Sequence, residues 1–335
     1  MKGLRLLGVI CLGLLAAACS QDNDDETPAA AARTKITFAT DWRAQAEQGG
    51  FYQALATGEY EKRGLDVTIL QGGPSVNVPQ LLAAGLVEMG MGSNSFIVLN
   101  LAAEKVPVKA VAAFMQKDPQ VLMAHPGAGI ESIADMKGHP ILISDASITA
   151  FWVWLKAKYG FTDDMVRKYT FTPGPFLADK RAVQQGYVTS EPYTIEQQAG
   201  FKPAVFLLAD EGYPGYAAMV LASDKVIADN PAAVRAFVEA SAAGWASYLD
   251  GDPEAADALI LKDNPEMTAD LLAQAREKMK AYGIVQSSDA AAVPGAMTDA
   301  RWQEFFAIAS GQGVYPEDMD YRGAYTLEFL PPAAP

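Results

Sequence analysis

The stretch "GGFYQALATGEYEKRGLDVTIL", residues 49–70, decides the architecture. Residues 49–64 carry apolar side chains at helical spacing and end on Gly64, a residue suited to the left-handed C-cap of a helix. The β-branched run that follows at once, "LDVTIL" (65–70), reads as a strand. A helix handing over to a strand in so few residues implies an α/β layer structure.

The rhythm continues outward in both directions. "KITFAT" (35–40) alternates apolar and polar residues as a strand does. After it come a helix at 78–85, a strand at 87–92, a helix at 95–104 and a strand at 108–114. A second set begins near Gln120, with strands at 121–125 and 140–144, a helix at 149–160 stopped by Gly160, and a mixed segment at 165–172. Residues 177–186 read as a helix, 187–190 as a strand, 192–200 as a helix and 204–209 as a strand. "AAMVLAS" (217–223) looks like a return strand, and residues 231–281 and 299–310 have Ala-rich helical periodicity. One α/β unit is thus interrupted by another. The expected division is lobe I at 34–117 plus 215–335 and lobe II at 118–214, with crossings near 115–119 and at "DEGYPGY" (210–216). Ligands in open α/β sheets bind at the carboxyl ends of strands, so the site is expected in the cleft between the lobes.

The N-terminus bears on compartment. Lys2 and Arg5 precede an apolar run at 6–15, and Ala16-Ala17-Ala18 precedes Cys19. Residues 1–18 read as a signal peptide, and Cys19 as the lipidated residue of a bacterial lipobox, with Ala16 where leucine is usual. Plain secretion is the close alternative. Residues 19–33 are acidic and Ala/Pro-rich, the composition of a flexible tether. Cys11 would leave with the signal, so no intramolecular disulfide is expected. The net charge of −14 argues against a nucleic-acid partner, since phosphate binding needs a basic footprint.

Several strings resemble the periplasmic solute-binding proteins of ABC importers, in the branch that takes thiamine pyrimidines, riboflavin, nitrate and sulfonates. They are the opening stretch 49–70, "LLAAGLVEMGMG" (81–92), "VPVKAVAAF" (106–114), "SIADMKGHPILIS" (132–144) and "QQGYVTSEPYTIEQQAG" (184–200). The resemblance implies a type II periplasmic binding fold of two α/β lobes, and a monomer that closes on a small solute. It implies permease and ATPase subunits as partners, attachment to the membrane through the lipid anchor, and no cofactor.

Strand ends supply the candidate ligand-binding residues. Lobe I offers Asp41, Trp42, Ser93, Asn94 and Ser95, with Gln116 at the first crossing. Ser93 and Ser95 are equally suited to capping the helix at 95–104. Lobe II offers Ser144, Ser147 and Trp152, then Glu191, Tyr193 and Tyr213. Phe151 and Trp154 read as core, which turns Trp152 elsewhere. Glu191 precedes Pro192, a good first helical residue, and a carboxylate there complements the helix dipole. The same carboxylate at a cleft-facing strand end accepts from ring N–H or amino groups, while Trp42, Tyr193, Tyr213 or Tyr216 stack on the ring. Arg43, Lys117, Lys180 and Arg181 are the only basic residues near these ends. A neutral or amine-bearing planar heterocycle therefore fits better than nitrate, taurine or an alkyl sulfonate, with an aromatic carboxylate still open. The rival from another class is an enzyme resembling thiamine-pyrimidine synthases, which use iron and a cysteine-rich motif. His125 and His139 are the only histidines, and neither lies in a ligand-spaced cluster with cysteine.

Overall fold

The computed structural model describes residues 32–286 and 293–330. The signal segment 1–18, Cys19 and residues 20–31 of the tether lie outside the described residues. Among the described residues, ten strands form two five-stranded mixed sheets. Lobe I holds β1 (Thr34–Ala39), β2 (Leu65–Leu70), β3 (Met89–Asn94) and β4 (Val108–Met115). Lobe II holds β5 (Gln120–Ala124), β6 (Ile141–Ile143), β7 (Val166–Lys168), β8 (Val183–Tyr187) and β9 (Ala204–Leu207). The chain then returns to lobe I as β10 (Ala217–Ser223).

The strand orders are β2-β1-β3-β10-β4 and β7-β6-β8-β5-β9. β1 lies parallel to β2 and β3, whereas β10 runs antiparallel to both β3 and β4. Lobe II repeats the scheme, with β6 parallel to β7 and β8, and β5 antiparallel to β8 and β9. In each sheet the antiparallel strand is the one that arrives from the other lobe.

The opening stretch forms two helices rather than one, Gly49–Ala56 and Glu59–Lys62. The break is Gly58, at φ +70°, a left-handed residue that ends one helix and starts the next. The glycine pair at its start has a packing reason. A Cβ on Gly50 would lie 2.1 Å from the Trp245 ring, and one on Gly244 would lie 2.2 Å from the Gly50 carbonyl oxygen. These positions let helix Gly49–Ala56 settle on helix Pro231–Asp250, and together they cover Phe38 of β1. Phe38 packs on Phe51 and Phe237 at 4.7 and 4.9 Å.

Segment 177–186 departs from expectation. Its helix covers only Gly174–Ala178, and the chain turns into β8, which ends at Tyr187 instead of running to 190. The helical pattern of "LADKRAVQQG" is local, but Gln184 and Gln185 pair with Met123 and Leu122 of β5, and the sheet ladder prevails. The long C-terminal region resolves into helices Pro231–Asp250, Glu254–Asp263, Ala269–Ala281 and Asp299–Gly311.

The two crossings lie side by side: Lys117 of the first pairs with Asp210 of the second at 2.8 Å, and one further side chain bonds to both. Arg301, on helix Asp299–Gly311, donates from Nη2 to the carbonyls of Gln116 and Gly215 (3.0 Å to the latter). Its Nε donates to Pro214 at 2.9 Å. The guanidinium also lies 4.0 Å from the centre of the Tyr216 ring. Gln116 does not face a ligand: its Nε2 donates to Ala113 and Ala296 carbonyls, both at 2.9 Å. Truncating Arg301 strands three carbonyls. Arg301→Ala is expected to cost about 2–4 kcal/mol in urea unfolding, and Arg301→Lys should recover only part, since an ammonium lacks the planar fork. A loss below about 1 kcal/mol would remove Arg301 from this role.

Candidate ligand-binding cleft

The segments that follow β1, β7 and β8 meet between the lobes. Past β1, Asp41 accepts hydrogen bonds from the Ser93 hydroxyl at the end of β3 and from Gln48 Nε2 at 3.4 Å. Gln48 belongs to the short helix Ala46–Gln48, whose Glu47 is 3% exposed. Glu47 accepts from the Thr189 hydroxyl, just past β8, and so joins the lobes directly. A void of about 10 Å³ remains beside Glu47, Thr189 and helix Ala269–Ala281, which is about the room of one water.

Glu191 opens helix Glu191–Ala199, one residue earlier than Pro192. Its Oε2 accepts from the Tyr187 backbone N–H at 2.8 Å, and its Oε1 from the Tyr169 hydroxyl at 3.4 Å. This close return explains the "QQG" string, because a Cβ on Gly186 would lie 2.8 Å from the Glu191 Cβ. Ser190 takes the N-cap position without a side-chain cap bond.

Burial sets the electrostatics. Loss of hydration raises the Asp41 and Glu191 carboxyls above their ordinary values, although their hydrogen bonds partly oppose it. Glu47 is pushed to about 7, first by desolvation, with the charges of Glu191 and Asp41 adding to it against the Thr189 bond. Asp118, on the first crossing, is also raised to about 7 by burial, opposed by the Gln120 N–H and the Arg301 charge. Tyr187 feels all four carboxylates, which push its phenol well above the usual range after desolvation itself. Among the described residues, no group of three His, Cys, Asp or Glu side chains is placed to hold a metal ion.

The residues singled out from sequence divide. Asp41, Ser93 and Glu191 lie in this region, and Trp42 packs on Phe171 of lobe II at 4.8 Å. Asn94, not Ser93 or Ser95, caps helix Ser95–Ala103 by accepting from the Phe96 N–H at 3.1 Å. Ser95 is fully buried and ties down Tyr216 through its N–H at 2.8 Å. Ser144 and Ser147 bond each other at 2.8 Å, and the Ser144 N–H donates to Gln185. Tyr193 is half-buried.

Three aromatic assignments need correction. Trp152 is fully buried with its indole N–H on Asp163 at 2.9 Å, so it belongs to the core. Tyr213 is 2% exposed among Phe96, Trp154 and Phe305, and Tyr216 lies beneath Arg301 and against Trp302; neither can stack on a solute. Glu47, Gln48, Asp118, Tyr169, Phe171, Tyr187 and Thr189 are residues of this region that sequence reasoning missed. The one available signal was Gln45-x-x-Gln48, a capping box that places Glu47 in the first turn of a helix beside a strand end.

The sequence profile of a family described as NMT1/THI5 like matches residues 45–256. The chain belongs to the NMT1/THI5-like family. The matched span includes Glu47, Ser93, Asp118, Thr189 and Glu191, while Asp41 and Trp42 precede it. This NMT1/THI5-like chain is 28% identical to the riboflavin-binding protein RibY of Chloroflexus aurantiacus, over 99% of each chain. It is 23% identical to the formylaminopyrimidine-binding protein of Halalkalibacterium halodurans, over 91% of this chain and 92% of that one. Among solved structures it is similar to the periplasmic aliphatic sulphonate binding protein SsuA of Escherichia coli. That match has a TM-score of 0.62 at 15% identity, covering 86% and 91% of the two chains, and it establishes the two-lobed fold.

The Glu47 carboxyl binds its proton more tightly in the folded protein than in the unfolded chain. Its ionisation therefore costs nothing below about 4.5, costs progressively more as pH rises, and costs its full amount above about 7. Measured as the difference between wild type and Glu47→Gln in urea unfolding, wild type should lose on the order of 3 kcal/mol relative to the variant between pH 4.5 and 7.5. A flat difference across that window would mean that Glu47 is solvated.

Proposed function

We propose that this protein is the extracytoplasmic solute-binding component of an ABC importer, and that it captures a small planar heterocycle bearing N–H or amino donors. The observation that carries the ligand class is the set of four desolvated carboxylates, Asp41, Glu47, Asp118 and Glu191, gathered about Tyr187. Such a site favours donors and cations and repels anions. Three of the four basic side chains near the strand ends are engaged elsewhere: Arg43 pairs with Glu266, Lys117 with Asp210 at 2.8 Å, and Arg181 bonds the Gly138 carbonyl. The names of the two binding-protein relatives, a flavin binder and a pyrimidine binder, support the same ligand class.

In this reading Glu191 and Asp41 accept from the ring substituents, while Trp42 covers the ring face. Permease and ATPase subunits receive the closed form. The protein acts outside the cytoplasm as a monomer, anchored by lipid on Cys19. It performs no chemistry on its solute. Among the described residues no helix is long and apolar enough to cross a membrane.

A thermal-shift panel with riboflavin, formylaminopyrimidine, hydroxymethylpyrimidine, taurine, alkyl sulfonates and nitrate tests the ligand class. Saturating heterocycle should raise the midpoint by several degrees, as about 2.7 kcal/mol at a hundred times Kd implies. Glu191→Gln keeps an acceptor for Tyr187 but removes the charge, and should weaken binding about tenfold or more. A shift with sulfonate or nitrate alone would overturn the heterocycle reading.

A further inference from the structure

Phe171 differs from the other residues of the cleft in two respects. Its φ is +60°, a left-handed conformation that a bulky L-residue keeps only where its surroundings hold it. Its side chain is 48% exposed, among the few large apolar side chains so exposed in the described residues. A strained backbone that presents an apolar ring to water gains nothing by itself. The compensation lies in what the ring touches.

Phe171 follows β7 in lobe II, and its ring lies 4.8 Å from that of Trp42, which follows β1 in lobe I. On its other side it lies 5.1 Å from Tyr169, whose hydroxyl bonds Glu191. A continuous path, Trp42–Phe171–Tyr169–Glu191, thus runs from one lobe across the exposed rim to a half-buried carboxylate of the other. The Trp42–Phe171 contact exists only while the lobes are together. Any stabilisation it gives belongs to the closed form and is lost on opening, when the strained backbone at Phe171 is also free to relax.

We propose that Phe171 is a retention residue: its ring clasps Trp42 at the mouth of the cleft and sets how fast a bound planar ligand leaves. This rests on the solute-binding reading above. A ligand first meets the open form, where the clasp is unmade, so association should be nearly insensitive to Phe171. Release requires the clasp to break and should depend on it.

The test compares wild type, Phe171→Ala and Phe171→Tyr in the mature chain. Riboflavin release is followed by stopped-flow flavin fluorescence after a chase. The clasp account expects release from Phe171→Ala to be roughly tenfold faster, association to stay within about threefold, and Phe171→Tyr to restore the wild-type release rate. Release that is unchanged in Phe171→Ala overturns the proposal. A second arm needs no ligand. Spin labels on Leu86→Cys in lobe I and Lys202→Cys in lobe II, in a Cys19→Ser background, report the distance between lobes. Phe171→Ala should move the distribution toward longer separations and Phe171→Tyr should not. An unmoved distribution overturns the clasp even if riboflavin fails to bind wild type, an outcome that would count against the ligand reading instead.

Discussion

The structure depends on two stretches of chain being held side by side. Each sheet borrows its antiparallel strand from chain that has just left the other lobe: β5 follows the first crossing and β10 the second. Both crossings must therefore pass the same edge, where Arg301 satisfies carbonyls of each. With the crossings fixed, the parallel strands of the two sheets direct their carboxyl ends into one gap, the place where open α/β sheets take ligands. Asp41, Ser93, Thr189 and Glu191 all lie at or just past such ends, so one topological constraint assembles the site from segments far apart in sequence.

The gap is costly to build. Carboxylates removed from water destabilise a fold unless they are neutralised or well bonded. Here each finds at least one donor: Ser93 and Gln48 on Asp41, Thr189 on Glu47, the Gln120 N–H on Asp118, the Tyr187 N–H on Glu191. These bonds leave acceptor capacity unused, and the raised carboxyls record an incomplete solvation. In the binding reading proposed above, a ligand with several donors completes it. Stability given up in the empty site thus becomes affinity in the filled one, a trade common to binding and active sites.

Much of the fold was legible because its signals are local. Gly160 and Gly200 end helices in left-handed conformations, Asn230 with Pro231 starts the long C-terminal helix, a β-branched run marks β2 and an apolar run marks β10. Segment 177–186 was misread for the converse reason: its helical spacing is genuine, but a place between β6 and β5 outweighs it. The site was half legible. Asp41 and Glu191 follow from strand ends alone. Trp152 and Tyr213 did not, since aromatic spacing cannot say which ring the core will take. The Glu47–Thr189 bond joins residues 142 apart in sequence, and no local pattern encodes such a pair. Phe171 was invisible for a similar reason, because its left-handed backbone runs against its own residue type.

Hydrogen–deuterium exchange with and without a heterocyclic ligand, riboflavin or formylaminopyrimidine, addresses the central claim most directly, because it locates a ligand by segment. The account expects concerted protection of residues 41–48 in lobe I and 187–195 in lobe II, with little change in helix Asp224–Asp229, which follows the far end of the antiparallel β10. Protection confined to one lobe, or centred away from both segments, would contradict a site built between the strand ends.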